Sequence, residues 1–542
     1  LARPKRFWRA YSNVGVGVAL VIMAGMFLLL LFQAVSILQN PPAPSAVNQP
    51  QNFLVVPGVN DFLPLAVAPE IVFGLLVGLV VHEGGHGLLC RVEDIDIESM
   101  GLVFLAFIPI GAFVEPDEES QRDANRGART RMFAAGVTNN FVLTAVAFAL
   151  LFGPVIGAVG VAPGVAVDGA YEGSPASVAG IDHGDRVTAV AGTEVTTERD
   201  LDDALLAAEN RTVAVEIDDE RTIQVERSLT VVGTVGGNPA NLSVEDEPIR
   251  VTAVNGTPVT TRGEFRAAVA DGTFAEIETT AGTRTIPVGA YITGVAPDGP
   301  LANASAPTNA TLIVTDIGGE RITSSADLSR VLDGYQEGDR VPVRAYVDGE
   351  FQTYDVRLGE NPRDGNGFVG VDIFPGTSGL LVTDFGVRTY PAGTYLELLG
   401  GSGGAAGSAV AGLTDSPFAL VYVALVLPLA SVVLGIPNFP GFTPSVTNFF
   451  VVQGPLAPLG DGVFILANTL FWAAWVNLQL GLFNCIPGYP LDGGRILRMG
   501  AESVVSRLPV SDPARLVRTI TTSIGLTMLA SLVLMIFGPQ LL

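Results

Sequence analysis

V-V-H-E-G-G-H-G-L-L, Val80 to Leu89, is the stretch on which the reading of this chain turns. It closes an apolar run that begins near Pro69 and is long enough, at about 20 residues, to cross a bilayer as a helix. On a helix, positions i and i+4 project from one face. His82 and His86 can therefore reach a single metal ion, with Glu83 beside them as a general base toward a metal-activated water. The His-Glu-x-x-His spacing arises by chance in long sequences. This chain has 3 histidines in all, however, and two of them fall here. Ionisable groups at the end of an apolar span are costly and belong to function; polar helix-end residues, the plainer reading, would explain neither the spacing nor the place.

A catalytic zinc centre takes three protein ligands and keeps a fourth position for water. His183 falls in a polar turn, where a solvated loop residue is the ordinary reading, so the third ligand is expected to be a carboxylate. N-C-I-P-G-Y-P-L-D-G-G-R, Asn484 to Arg495, offers one acid, Asp492, just after a proline-broken apolar helix. A carboxylate held there without a partner is expensive, and a cation relieves it.

Working outward, Val14–Leu38 reads as a first span. Its flank carries Arg3, Lys5, Arg6 and Arg9, which puts the N-terminus on the cytoplasmic side and marks an anchor rather than a cleaved signal. Asn40–Asn60 is then an external loop. Gly101–Val114 is apolar but broken by Pro109 and Gly111, so it reads as a membrane-dipping hairpin. Arg122, Arg126, Arg129 and Arg131 precede a third span over Met132–Ile156. Further apolar segments cover Phe418–Ile436, Val463–Ile486 and Thr519–Phe537. Asp492 reaches the depth of the histidines only if one segment crosses between the aqueous part and Asp492. Phe418–Ile436, broken at Pro428, is therefore expected to be re-entrant or peripheral.

Between the spans the character changes to short alternating runs with Gly, Asp and Asn turns. Three stretches repeat at about 63 residues: VTAVAGTEV from Val187, VTAVNGTPV from Val251 and VTDIGGERI from Val314, each followed by an amphipathic stretch and a β-like run. GSPASVAGIDHGDRVTAVAG, from Gly173, resembles a PDZ domain, and between one and a half and three such units are expected. A PDZ groove takes a peptide as an added strand; a β-rich spacer with a blocked groove is the alternative.

The chain carries 54 acidic against 30 basic residues, a net charge of −24, with Lys5 as its lone lysine. Such charge repels nucleic acid, whose binding needs cations on phosphate, and suits a surface hydrated in high salt, as in a halophilic archaeon. Mean hydropathy is nevertheless +0.44, so a membrane part is joined to an acidic aqueous part. Cys90 and Cys485 read as small buried apolar residues.

VVHEGGHGLL from Val80, GAFVEPDEE from Gly111, AAGVTNNFVL from Ala134 and the Asn484–Arg495 motif stand in the order seen in site-2 proteases, the intramembrane zinc metalloproteases, and look closer to their eukaryotic-type branch. The resemblance implies His82, His86 and Asp492 as Zn2+ ligands, Glu83 as catalytic base, and Asn140 and Asn484 as support for substrate or oxyanion. It further implies transmembrane protein substrates of the kind released in regulated intramembrane proteolysis, such as membrane-tethered transcription regulators or anti-sigma-like factors. The expected architecture is a polytopic α-helical membrane protein with an inserted extramembrane β-rich domain, PDZ-like and α+β. Residues 1–68 would be the anchor and external loop, 69–159 the first part of the membrane core, 160–375 tandem PDZ-like modules, 376–413 a Gly-rich linker, and 414–542 the rest of the core. The active site would lie near the cytoplasmic side and the modules outside. A non-catalytic adaptor with PDZ-like modules and a structural zinc is the competing function, but Glu83 beside the metal has no purpose there. A transporter would need more intramembrane charge.

Overall fold

The computed structural model describes residues 2–42, 56–60, 62–105, 108–244, 248–361, 365–401, 416–433 and 436–541. Most of the Asn40–Asn60 loop and of the Gly400–Gly407 stretch lies outside them. The chain forms two compact units, one built from residues 1–160, 393–404 and 412–542, the other chiefly from 161–392.

The first unit is helical. Its main helices are α1 (Lys5–Gln39), α2 (Ala68–Val92), α3 (Arg126–Leu150), α4 (Pro417–Val426), α5 (Gly462–Asn484), α6 (Asp492–Val505) and α7 (Pro513–Leu541). Among the described residues, five helical stretches are long and apolar enough to cross a membrane: 5–39, 65–92, 126–158, 462–484 and 513–541. The segment from Phe418 is not among them. Its helix stops at Val426 and passes into a short tight turn around Pro428, which lacks the N–H that an α-helix needs there.

Polar contacts at one end of the bundle fix the directions of the helices. Arg9 near the start of α1 (3.1 Å) and Arg131 near the start of α3 (2.8 Å) both bind Glu93 Oε1, just past the end of α2. The first span is thus more than an anchor: Tyr11 Oη donates to Asn139 Oδ1 at 2.8 Å, and Gly15 lies tight against Thr138. On the other side of α2, Gly74 and Gly78 let α5 approach so closely that a Cβ on either would lie 2.8–2.9 Å from Trp472, Asn477 or Leu480. Small residues are what permit such helix contact in a bilayer, where apolar side chains gain little from avoiding lipid.

Between α2 and α3 the expected hairpin is a pair of antiparallel strands, β1 (Ile97–Leu105) and β2 (Ile108–Pro116), with Met100 opposite Val114.

The second unit holds three modules, each with a six-stranded sheet. The repeats noted in the sequence are their central strands, Arg186–Val190, Ile249–Val254 and Leu312–Ile317. Each turns tightly at Ala191-Gly192, Asn255-Gly256 or Gly318-Gly319, both residues having positive φ. Such turns match the twist of a hairpin and favour Asn and Gly. Helices Glu198–Ala207, Arg262–Val269 and Ser325–Leu332 follow, each N-capped by the Ser or Thr before it.

The modules are nested rather than in tandem. The third sheet is completed by Val371–Ile373, the second by Leu380–Thr383 and the first by Val387–Thr389, so the closing strands return in reverse order. The expected boundary at 375 and the linker over 376–413 are corrected accordingly: two of the closing strands and a helix, Ala392–Leu398, lie in that stretch. The edge of an antiparallel sheet accepts any strand of matching register, and its neighbour in space need not be its neighbour in sequence.

Candidate metal centre

His82 and His86 sit one turn apart on α2 and are both buried. Asp492, at the first turn of α6, reaches them from the far end of the sequence. His82 Nε2 lies 3.1 Å and His86 Nε2 3.2 Å from Asp492 Oδ2, and the two imidazole nitrogens are 3.2 Å apart. Tetrahedral zinc with bonds of 2.0–2.1 Å separates its ligand atoms by about 3.3–3.4 Å, so the triangle is nearly of the size that ion requires.

Proton placement makes the same demand. His86 Nδ1 lies 2.8 Å from the carbonyl of Met132, which can only accept, so Nδ1 carries the hydrogen. A neutral His86 then turns a lone pair at Nε2 toward another imidazole nitrogen and a carboxylate oxygen. Asp492 Oδ2 itself is buried with no hydrogen-bond partner among the described residues. Electron pairs converging in a buried place call for a cation. Room for it comes from Gly136 on α3: a Cβ there would lie 2.6 Å from His86 Nε2 and 2.7 Å from His82 Nε2. The residues present therefore fit a zinc ion.

Asn140 packs against one of the pair of histidines. Expected beside the substrate, it lies fully buried behind His82, with its amide 3.3 Å from His82 Nδ1. Its Oδ1 is without a hydrogen-bond partner among the described residues. With the side-chain amide turned over, Oδ1 would accept from His82 Nδ1–H and leave Nε2 free for a metal. Asn140 is therefore placed to orient the His82 ring.

The remaining residues line a cavity of about 250 Å³ that includes Glu83, Asn484 and Arg495. Glu83 Oε2 accepts from the backbone N–H of Val114 on β2 at 3.0 Å. Asn484 is half-buried, lines the cavity and donates to the Leu480 carbonyl at 3.1 Å. Arg495 lies over the Phe133 ring, 5.2 Å from its centroid, and 3.9 Å from Asp492 Oδ1. His183 stays outside the site, near Asp168. Cys90 and Cys485 are buried and unbridged.

Reading the sequence left the roles of Gly136, the Met132 carbonyl and the Val114 N–H unassigned. The Ala134-Ala135-Gly136 run signals a close helix approach, but not what it approaches.

Comparison with known proteins gives the family. The model of the family described as Peptidase family M50 matches residues 70–532. An uncharacterized protein of Methanocaldococcus jannaschii is 28% identical over 146 residues, 27% of this chain and 38% of that protein. Rip3, a candidate zinc metalloprotease of Mycobacterium tuberculosis, is 39% identical over 67 residues, 11% of this chain and 17% of its own. The chain thus spans well under half the length of the curated relatives it matches. Among solved structures, the PDZ domain of an SdrC-like protein from Listeria monocytogenes aligns at 21% identity and a TM-score of 0.14, over 16% of this chain and 86% of that domain.

Proposed function

The chain belongs to peptidase family M50, and from that membership and the geometry of the site we propose that it is an intramembrane zinc metalloprotease hydrolysing peptide bonds of transmembrane proteins. The observation that carries this reading is the convergence of His82, His86 and Asp492 within 3.2 Å of one another, beside a carboxylate, inside a bundle of apolar helices.

Zinc, when bound, would supply the Lewis acidity that lowers the pKa of a water toward ~7 and polarises the scissile carbonyl. Glu83 does the proton work. The Val114 N–H holds one of its oxygens, leaving the other to take a proton from the attacking water and to return it to the leaving amine. Asn484 keeps an amide N–H and its oxygen for the substrate backbone. A helical substrate hides its amides, so the cleaved segment must be extended. The edge of β2 suits it: Val114 turns its N–H away from β1 toward Glu83, and by the two-residue period of a strand Ala112 presents its own on the same edge.

The substrates in this reading are membrane-tethered regulators of transcription or anti-sigma-like factors, and the PDZ-like modules take peptide ends as added strands. In this reading the site lies near the cytoplasmic face and the modules outside, which the arginines flanking α1, α3 and α6 support.

The test compares the purified protein with Glu83→Gln on a membrane-embedded substrate, with zinc measured in both. Cleavage is expected to fall by about 10²–10⁴-fold, the usual share of a general base, at unchanged zinc content. Equal cleavage by both would remove Glu83 as the base. No cleavage by either, with zinc present, would point to the adaptor. Deleting Gly101–Val114 is expected to abolish cleavage while zinc stays bound, and persisting cleavage would end the hairpin's part.

A further inference from the structure

A second cavity, of about 590 Å³, lies between the loop after α5 and the last helix, and the proposed chemistry does not use it. Its walls are mainly apolar: Leu30 from α1, Ile486 and Leu491 from the loop, Leu526 and Leu529 from α7. Along α7 the lining runs from Thr521 to Leu532. The eleven steps between them, at about 1.5 Å each, give roughly 16 Å, and one leaflet's half of the ~30 Å hydrocarbon core is about 15 Å. The groove is as deep as one acyl layer.

At its mouth it meets a second hollow, with which it shares Arg498 and Thr521, and which adds Arg515, Arg518 and Asp512. Arg498 is engaged with Glu502. Arg515 and Arg518 are exposed, and neither side chain makes an ion pair among the described residues. Unpaired cations gathered in a chain of net charge −24 are complementary to an anion. Tyr489, 86% exposed, stands on the wall of the groove; aromatic rings with a polar tip favour the headgroup level.

We propose that this groove holds one anionic phospholipid, with its phosphate against Arg515 and Arg518 and an acyl chain between the loop and α7. The site has a consequence for the metal centre, because Pro490 and Leu491 line both cavities. The lipid supports the loop that delivers Asp492 to the histidines.

The test uses the full chain in discs containing equal phosphatidylglycerol and phosphatidylcholine, with retained lipid counted by native mass spectrometry and zinc measured in parallel. Neither readout depends on cleavage, so the protease reading can fail without this one. The protein is expected to keep one phosphatidylglycerol in preference to phosphatidylcholine. Replacing Arg515→Gln and Arg518→Gln together should weaken that preference by about thirty-fold, on the scale of an arginine at a membrane surface. Gly525→Phe fills the groove, since a Cβ at Gly525 has nothing nearer than Gly488 Cα at 4.0 Å. With helix content unchanged, it should release both lipids. Equal retention of the two lipids, or a double variant as selective as the parent, overturns the proposal. So does displacement of the lipid by millimolar inorganic phosphate, or a photo-crosslinker at Leu526 that captures substrate protein instead of lipid.

Discussion

Two buried aspartates, one in each unit, face the same physical problem and meet it differently. Asp384, 0% exposed, lies between the closing strands of the first two modules. Arg227 binds it, with Arg262 Nε at 3.2 Å and the Arg262 backbone N–H at 2.9 Å. Asp492, 5% exposed, has two imidazoles and an arginine 3.9 Å away, and one of its oxygens has no donor. The β unit carries its own cations and uses them to join segments far apart in sequence. The helical unit surrounds its aspartate with groups that a metal ion could join. A buried carboxylate is a structural feature where the protein neutralises it, and a candidate site where the protein does not.

The largest expected effect separates the two clusters. Asp384→Ala leaves Arg227 buried without its partner, at a cost of about 3–5 kcal/mol, although its hydrogen bonds to the Leu205 and Ala208 carbonyls remain. All three tryptophans lie in the helical unit, so hydrogen exchange over 371–389 is the measurement, and zinc content should stay at the parental level. The double replacement Arg227→Met with Asp384→Leu should recover most of the loss, since apolar substitutes for buried pairs are often neutral. Unchanged exchange in the single variant would remove the contrast.

Next in size is Gly136→Ala. The added methyl would stand where both imidazole nitrogens are within 2.7 Å, and zinc affinity should fall by about ten- to a hundredfold, the range for lost support of metal ligands. Competition with a chelator measures it; unchanged affinity would show that the site widens freely.

The smallest effect concerns pH. Hydrogen bonds from Thr196, and then Thr197, hold the Asp200 carboxyl at about 2. Because that lies below the usual value of roughly 3.9, the stabilisation is present above about pH 4 and is lost as pH falls toward 2. Asp200→Asn should blunt the acid sensitivity of exchange in the helix Glu198–Ala207 slightly. No change between pH 4 and 2 would show that the cap carries no charge dependence.

Much of the site was legible because it is local. The His82–His86 spacing is helix geometry, and the apolar runs, the arginine flanks and the repeated strand with its tight turn all sit within one window of sequence. Asp492 needed one step more, the cost of an acid at the end of a span. That Asn140 contacts His82 was not legible, because sequence does not tell which neighbour a buried side chain faces.

The sequence by itself determined the apolar spans, the pairing of His82 with His86 on one helix face and the repetition of the β modules, since each is written in spacing along one helix or one strand. Only the tertiary structure decided that the modules are nested, that Gly136 opens the room for the ion and that Asn140 stands behind His82. Those facts depend on which remote segments pair. A closing strand of three or four residues is too short to show a period of its own, and a glycine is needed only when something else comes close.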